Sequence, residues 1–346
     1  MRLWLALIAC VLAGPMHAQT WATREVCLLE EAQVHPEIFT PAFYAKMQKR
    51  SAEIPNSVGR FWRITSVDGA VSHIWGTMHS SLPMILRLPN QVTDAIKTAR
   101  IVATEVDYTQ QTREELSASF TSSDRYRDGT EISVRDMALP SQLLIWIEER
   151  LTGLGWGDES LDYLSPEAVA ELMLADPCGD FAAGIYPIQD DRIQMLGAIY
   201  GSKILSLEAP RALFQKLSDD GNTGLTRAMI AVYANYLNPG VTQEMRSTSH
   251  ALYLQGRIGE MMAWDELYFS EAYPEEGPEW LARTNDYLLR ERNEVFLGSA
   301  MADLLEGGVF MAVGTYHLPQ KYGLIALLRK AGFAVERIAL EGAARP

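Results

Sequence analysis

Residues 309–319 read VFMAVGTYHLP, and residues 71–79 read VSHIWGTMH. Each stretch closes a short apolar, strand-like run with Gly-Thr-X-His, at Gly76-Thr77-Met78-His79 and again at Gly314-Thr315-Tyr316-His317. The chain has 6 histidines, so framing two of them alike is a repeat and not an accident of composition. The flanks repeat as well. The strand Ser72 to Trp75 leads through its motif and a loop to a predicted helix, Val92 to Ala99 with Asn90 as N-cap, and then to a strand from Ile101 to Asp107. The run Val309 to Val313 leads likewise to a helix from about Gln320 to Ala331, stopped by Gly332, and to a strand from Phe333 to Ile338. Two such β-loop-α-β units predict an α/β fold with a central sheet of parallel strands and right-handed crossovers. In such sheets ligands collect on the loops that leave the carboxyl ends of the strands. His79 and His317 both lie on loops of that kind.

The rest of the chain supplies a frame for these units. A helix opening at Thr40-Pro41 and running to about Lys49 precedes a hairpin, Phe61 to Thr65 and Val71 to Trp75 around Asp68-Gly69, which delivers His79. Residues of about 112–182 read as a helical insertion, with a capping-box start at Thr112 and Glu115 and a second start at Ser165-Pro166. A helix from about Asp190 to Tyr200 ends at Gly201 and runs into a strand from Lys203 to Glu208. Residues of about 211–306 form a second helical insertion, the expected specificity region, and end in a long helix from about Glu279 to Leu305 closed by Gly307-Gly308. No linker, charge block or low-complexity tract divides the chain, so residues 19–346 read as a single α/β domain carrying two insertions.

Residues 1–18 have the form of a secretory signal peptide: Arg2, an apolar stretch from Leu3 to Ala13, Gly14-Pro15, and Ala18 before Gln19. The stretch is too short to span a bilayer, and no later segment is long enough, so the expected location is periplasmic or secreted, with no transmembrane segment. Cys10 lies inside the apolar stretch, which disfavours lipidation there. The net charge of −14 argues against nucleic acid or anionic lipid as the main partner. Cys27 and Cys178 remain after the leader, an even pair that can form one disulfide in an oxidising compartment, the alternative being two buried thiols. Neither sits in a Cys-X-X-Cys arrangement, which disfavours redox catalysis and a thiolate zinc site.

Imidazole is the commonest protein ligand for first-row divalent metals, and glycine three residues earlier lets backbone approach closely. Two histidines need a carboxylate to complete a site. Glu105 is the best placed, near the carboxyl end of the strand that follows the first motif, with Asp107 on the same strand face at a spacing of two. Two histidines and one carboxylate would leave coordination positions open for metal-assisted hydrolysis. Against this stands a bland reading: Gly-Thr-X-His can be a tight strand-to-loop corner whose histidine bonds only to backbone. His35, His73 and His250 lack the frame and read as surface or core residues, and the Tyr and Met residues between Tyr233 and Phe269 as core or groove lining. Gly-X-Ser-X-Gly, His-Glu-X-X-His and P-loop patterns are absent, which disfavours a serine hydrolase, a zincin and an NTPase.

Taken together, Gly76-Thr77-Met78-His79 with Leu88-Pro89, Thr104-Glu105-Val106-Asp107, Leu207-Glu208, Arg292-Asn293 and Val313-Gly314-Thr315-Tyr316-His317-Leu318-Pro319 resemble the TraB/GumN family over roughly residues 27–340. That family resembles the TIKI metalloproteases and, more distantly, ChaN-like haem-binding and erythromycin-esterase-like proteins. The resemblance implies His79, His317 and Glu105 as the metal-dependent catalytic site, with manganese, cobalt or zinc as candidate ions. Asp107, Asp191, Arg192, Glu208, Arg292 and Asn293 are candidates for orienting the ligands or gripping a substrate, each with the competing reading of a surface charge or structural ion pair. Tyr316 stands where the second motif commonly carries a small residue, and is placed to narrow the site or to supply a hydroxyl. The expected function is an exported metal-dependent hydrolase acting on a peptide or other carbonyl substrate. The alternative is a non-catalytic binding protein using the same cleft for a peptide, haem or small ligand.

Overall fold

A computed structural model describes residues 24–107, 123–127, 132–181, 187–219, 221–341 and 343. The proposed leader and the capping box at Thr112 and Glu115 lie outside the described residues. The fold is mixed α/β around a six-stranded sheet. Its strands are β1 (Phe61–Thr65), β2 (Val71–Thr77), β3 (Ile101–Thr104), β4 (Lys203–Ser206), β5 (Val309–Gly314) and β6 (Ala334–Arg337), in the order β4-β3-β5-β2-β1-β6. The pairs β2/β5, β3/β5 and β3/β4 are parallel, and β1 pairs antiparallel with both β2 and β6. The two β-loop-α-β units are therefore interleaved and do not stand side by side. β5 from the end of the chain is inserted between β2 and β3, and β6 reaches the sheet only across the hairpin.

That insertion explains the apolar run of residues 309–313. As the central strand β5 is covered on both faces, and Val309 to Val313 are each at most 1% exposed. Ile74, Ile101, Ala103, Val309, Met311 and Val313 face the helices Arg292–Glu306 and Leu324–Lys330, through Phe296, Leu304, Leu324 and Leu328. Trp75, Val102, Phe310 and Ala312 face the helices Asn90–Thr98 and Gln189–Ile199. The latter helix lies close on the sheet because Gly197 has no side chain: a Cβ there would stand 2.7 Å from Val102 Cγ2. Helices Ser141–Gly153, Pro166–Met173, Thr223–Ala234 and Gly277–Asn285 bury a separate apolar core around Ile147, Val169 and Met229.

Local signals held where their chemistry was strong. Thr40 Oγ1 accepts from Phe43 N (3.2 Å) and Ser165 Oγ from Ala168 N (3.2 Å), each with proline at the first helical position. Gly307 and Gly308 (φ 83° and 71°) end the long helix, and Gly332 (φ 96°) ends the helix after the second motif. Four expectations need correction. Asn90 is the first helical residue, and the cap position belongs to Pro89, which has no side-chain donor or acceptor. The helix after the second motif begins at Leu324, because Gln320 takes a left-handed conformation (φ 78°) in the intervening turn. β3 ends at Thr104, where Gln194 Nε2 binds Thr104 Oγ1 (2.6 Å) and Val106 O (2.8 Å), and β4 ends at Ser206. The long helix is interrupted by a π-helical turn, Asp286–Glu291, immediately before Arg292. Such a turn re-phases the helix face, and here it precedes the two residues that enter the site.

The Cys27–Cys178 disulfide is formed (Cα–Cα 5.3 Å) and ties the N-terminal segment to the first helical insertion. Among the described residues no helix is long and apolar enough to cross a membrane.

Candidate functional site

The carboxyl ends of four neighbouring parallel strands each deliver one residue. Glu208 follows β4, Glu105 follows β3, His317 follows β5 and His79 follows β2. The order of the strands thus becomes the order of the functional groups.

Glu105 is the hub. Its Oε1 accepts from Gly314 N at 2.6 Å and stands 3.6 Å from His317 Nε2, while its Oε2 accepts from Arg292 Nη2 at 2.8 Å. Burial favours the protonated acid, but Arg292, with His79 and the Gly314 N–H, outweighs it and holds this carboxyl well below the usual range. Arg292 also grips Glu208 through Nε (3.0 and 3.1 Å) and Nη2, so one guanidinium serves two buried carboxylates. Asn293 sets the other histidine: its Nδ2 donates to Tyr322 O (2.9 Å) and His317 O (3.3 Å), which leaves Oδ1 to accept from His317 Nδ1 at 2.7 Å. The proton of His317 is therefore on Nδ1 and the lone pair on Nε2. Burial, opposed by Glu105, pulls this imidazole down to about 4, so it is neutral at ordinary pH.

His79 differs in exposure. Its side chain is 56% exposed against 5% for His317, so the site opens on the His79 side. His79 Nε2 stands 3.6 Å from Asp190 Oδ2, and the Asp190 carboxylate pushes the imidazole's proton affinity up against the effect of burial. Burial raises Asp190 in turn. Thr77 of the first motif donates to Asp190 Oδ1 at 2.7 Å, leaving Oδ2 buried and without a hydrogen-bond partner among the described residues. Gln189 fixes this corner. Its Oε1 receives Trp75 Nε1 (3.2 Å), Met78 N (3.3 Å) and Tyr253 O–H (2.6 Å).

The two motif glycines do different work. A Cβ on Gly76 would stand 2.7 Å from Thr315 Oγ1 and 2.8 Å from Leu318 Cδ1, so the motifs pack against each other there. A Cβ on Gly314 would face Glu105 Oε1 (3.2 Å), His317 Cδ2 (3.5 Å) and His79 Nε2 (3.9 Å), the space the functional groups share.

The donor set fits a divalent cation. Glu105 Oε1 and His317 Nε2 face one another as two acceptors, Asp190 Oδ2 is a buried oxygen lacking a donor, and Gly314 leaves the common space open. His79, Glu105 and Asp190 each bring one ligand atom within 4.8 Å of the other two, and His317 is not in that group.

The other named residues lie apart. Asp107 is buried beyond the end of β3, its N–H donating to Ser206 Oγ at 2.9 Å; because the strand has already ended, alternation does not place it beside Glu105. Asp191 accepts from Ile188 N (3.1 Å) and so caps its own helix, and Arg192 is exposed on that helix. Tyr316 O–H donates to Asp265 Oδ2 at 2.7 Å, which engages the hydroxyl with the helix Ile258–Ala272. His73 stacks on Phe61, His35 pairs with Glu37 and His250 is buried against Arg246 O; none reaches the site.

The model of the TraB/PrgY/gumN family matches residues 60–337, a span that contains every residue of this cluster. The chain belongs to the TraB/PrgY/gumN family. No curated protein and no solved structure matches it. In this TraB/PrgY/gumN member, sequence reasoning missed Thr77 as the support of Asp190, Gln189, and Asp190 itself. The available signal was Gln189-Asp190 opening a helix that returns to the strand beside Glu105.

Proposed function

We propose that the protein is an exported metal-dependent hydrolase acting on a peptide or related carbonyl substrate. The observation that carries this reading is the convergence of His79, Glu105 and His317 on the space left by Gly314, with an Asp190 oxygen within 4.8 Å of the His79 and Glu105 ligand atoms and acceptor facing acceptor at 3.6 Å between Glu105 and His317. Two lone pairs directed at each other in a buried setting call for a cation between or beside them. A bound divalent ion supplies Lewis-acid polarisation of a carbonyl and eases the deprotonation of water.

The chain's own residues supply the rest. Arg292 keeps Glu105 ionised and fixed, Asn293 keeps the Nε2 lone pair of His317 available to accept a proton, and the exposed side of His79 is where substrate enters. Export is supported by the Cys27–Cys178 disulfide, a cross-link that persists in oxidising compartments, together with the leader-like residues 1–18.

The test is hydrolysis of a peptide library with divalent metal supplied, comparing wild type with Glu105→Gln, His79→Ala and His317→Ala. Loss of turnover in all three variants, with folding retained, is the expected result. Equal activity in all four proteins overturns the reading. Ligand capture by the wild type without turnover would favour a binding protein instead.

A further inference from the structure

We propose that Asp265, together with Tyr233, Tyr236 and Tyr316, forms a subsite beside the His79, Glu105 and His317 cluster that takes a protonated amine of the substrate. The proposal rests on the reading of this cleft as a substrate site, and adds the chemical group by which the substrate is held.

Tyr316 joins the two places. It is the residue between Thr315 and His317 in the second motif, and its O–H donates to Asp265 Oδ2 at 2.7 Å. Asp265 is partly buried on the helix Ile258–Ala272, and its Oδ1 has no protein donor among the described residues. Tyr233, on the helix Thr223–Ala234, and Tyr236, in the turn after it, stand with ring centroids 6.0 Å apart. The charge of Asp265 reaches all three tyrosine hydroxyls, and Tyr233 also lies in the field of Arg292 and Glu105. Tyr236 is 49% exposed, so the group opens to solvent at that residue.

What this group lacks is a cation. The arginines near it are already engaged. Arg292, near Tyr233, is held by Glu105 and Glu208; Arg246, near Tyr236, pairs with Asp176 at 3.0 Å; and Arg50 is taken by Glu266, the residue after Asp265. Burial raises the Asp265 carboxyl to about 6 against the Tyr316 hydrogen bond, with Glu266 adding to the rise, so it is ionised at neutral pH. An ionised carboxylate in that setting is costly until a cation meets it. The phenols suit the same guest. Burial holds their hydroxyls protonated, their oxygens accept from an ammonium, and their ring faces attract one. Because Oδ2 already accepts from Tyr316, one carboxylate oxygen is left, which matches a compact ammonium better than the two-pronged guanidinium.

Calorimetry at neutral pH with defined probes reads the subsite without reference to turnover. The probes are N-acetyl-Ala-Lys-Ala amide, its norleucine analogue, and that norleucine analogue with a free N-terminus. An amine-bearing probe should bind wild type about 10–100-fold more tightly than the neutral one, the gain of a charge-assisted hydrogen bond to a buried carboxylate. Whichever amine carries the gain tells a side-chain source from an N-terminal one. In Asp265→Asn, which keeps the shape and loses the charge, the preference should fall to within about threefold. Tyr236→Leu, at the exposed edge, should cut the preference by about 2–5-fold and covers the case in which the Asp265 variant fails to fold. Equal binding of the three probes by wild type, or binding of none, overturns the proposal, as does an amine preference that survives Asp265→Asn. An amine preference in a protein that hydrolyses no peptide would keep this subsite and remove the hydrolase reading, whereas hydrolysis without the preference would remove this subsite alone.

Discussion

Gly314→Ala separates a glycine kept for function from one kept for folding. At φ −49° and ψ 136° Gly314 has a backbone conformation open to alanine, so torsion does not require glycine there. Room does. The added methyl would lie 3.2 Å from Glu105 Oε1, 3.5 Å from His317 Cδ2 and 3.9 Å from His79 Nε2. Reduced freedom of the unfolded chain stabilises such a change by about 0.4–1 kcal/mol. Displacing Oε1 by a few tenths of an ångström against the Gly314 N–H costs a comparable amount, roughly 0.5–1.5 kcal/mol if that hydrogen bond is lost. Net stability should therefore move by less than about 1 kcal/mol, a few degrees in Tm at most. Function should not be spared. With ligand bonds near 2 Å, an ion touching both Glu105 and His79 must occupy the volume next to that methyl. A loss of at least about 100-fold in metal affinity and in turnover is expected, about 2.7 kcal/mol at 1.36 kcal/mol per tenfold. Gly76→Ala is the contrast: its Cβ would meet Thr315 Oγ1 at 2.7 Å and Thr315 Cα at 3.0 Å, an overpacking that should cost about 1–3 kcal/mol of stability. Thermal unfolding, metal calorimetry and peptide turnover on the two variants decide the matter. Wild-type metal affinity and turnover in Gly314→Ala would refute the argument, as would a Tm loss in Gly314→Ala as large as that in Gly76→Ala.

Arg292→Met should destabilise by about 3–5 kcal/mol, because it strands Glu105 and Glu208 as buried carboxylates without their cation; chemical denaturation measures it, and a change below 1 kcal/mol would show the pair to be solvated. His250, which burial and Arg246 lower to about 4 against the pull of Asp176, stays neutral in the fold while the unfolded chain takes up a proton near pH 6.5. The native state therefore loses up to about 3 kcal/mol as pH falls from 6.5 to 4, and His250→Gln, which cannot titrate, should show a correspondingly flatter stability profile in denaturant melts over that range. Cys27→Ser opens a cross-link between positions 151 apart, and should lower unfolding free energy by about 2–5 kcal/mol while the reduced wild type matches the variant. Insensitivity of the wild type to reductant would contradict that.

The strand character of residues 71–77 and 309–314, the cap at Thr40, the stop at Gly332 and the two histidine-bearing loops were all legible because each depends on neighbours a few residues away. Apolar alternation, proline at a helix start and glycine at a helix end act locally, and so they are written in the chain in order. The match of Glu105 with the two motifs was legible for a related reason: strands of like direction present their carboxyl ends on one side, whichever strand neighbours which.

Strand order was not legible. Nothing local tells β5 to enter between β2 and β3, and that insertion is what puts Gly314 against Glu105 and sets His317 and His79 on either side of it. The ends of β3 and β4 were misjudged because the pairing frays there without a sharp stop: Leu207 N and Glu208 N still donate to Thr104 O and Glu105 O, while Gln194 takes Thr104 Oγ1 and Val106 O. The roles of Arg292 and Asn293 depend on a π-helical turn whose single extra residue leaves no clear mark on helical periodicity. Asp190 lay next to a named residue, and only contact with Thr77 and His79 distinguishes it from Asp191, which caps its own helix. By itself the sequence determined which segments become strands and which loops carry the two motif histidines; the tertiary structure decided which side chains meet, because pairing across more than a hundred residues is settled by burial and charge in the assembled fold.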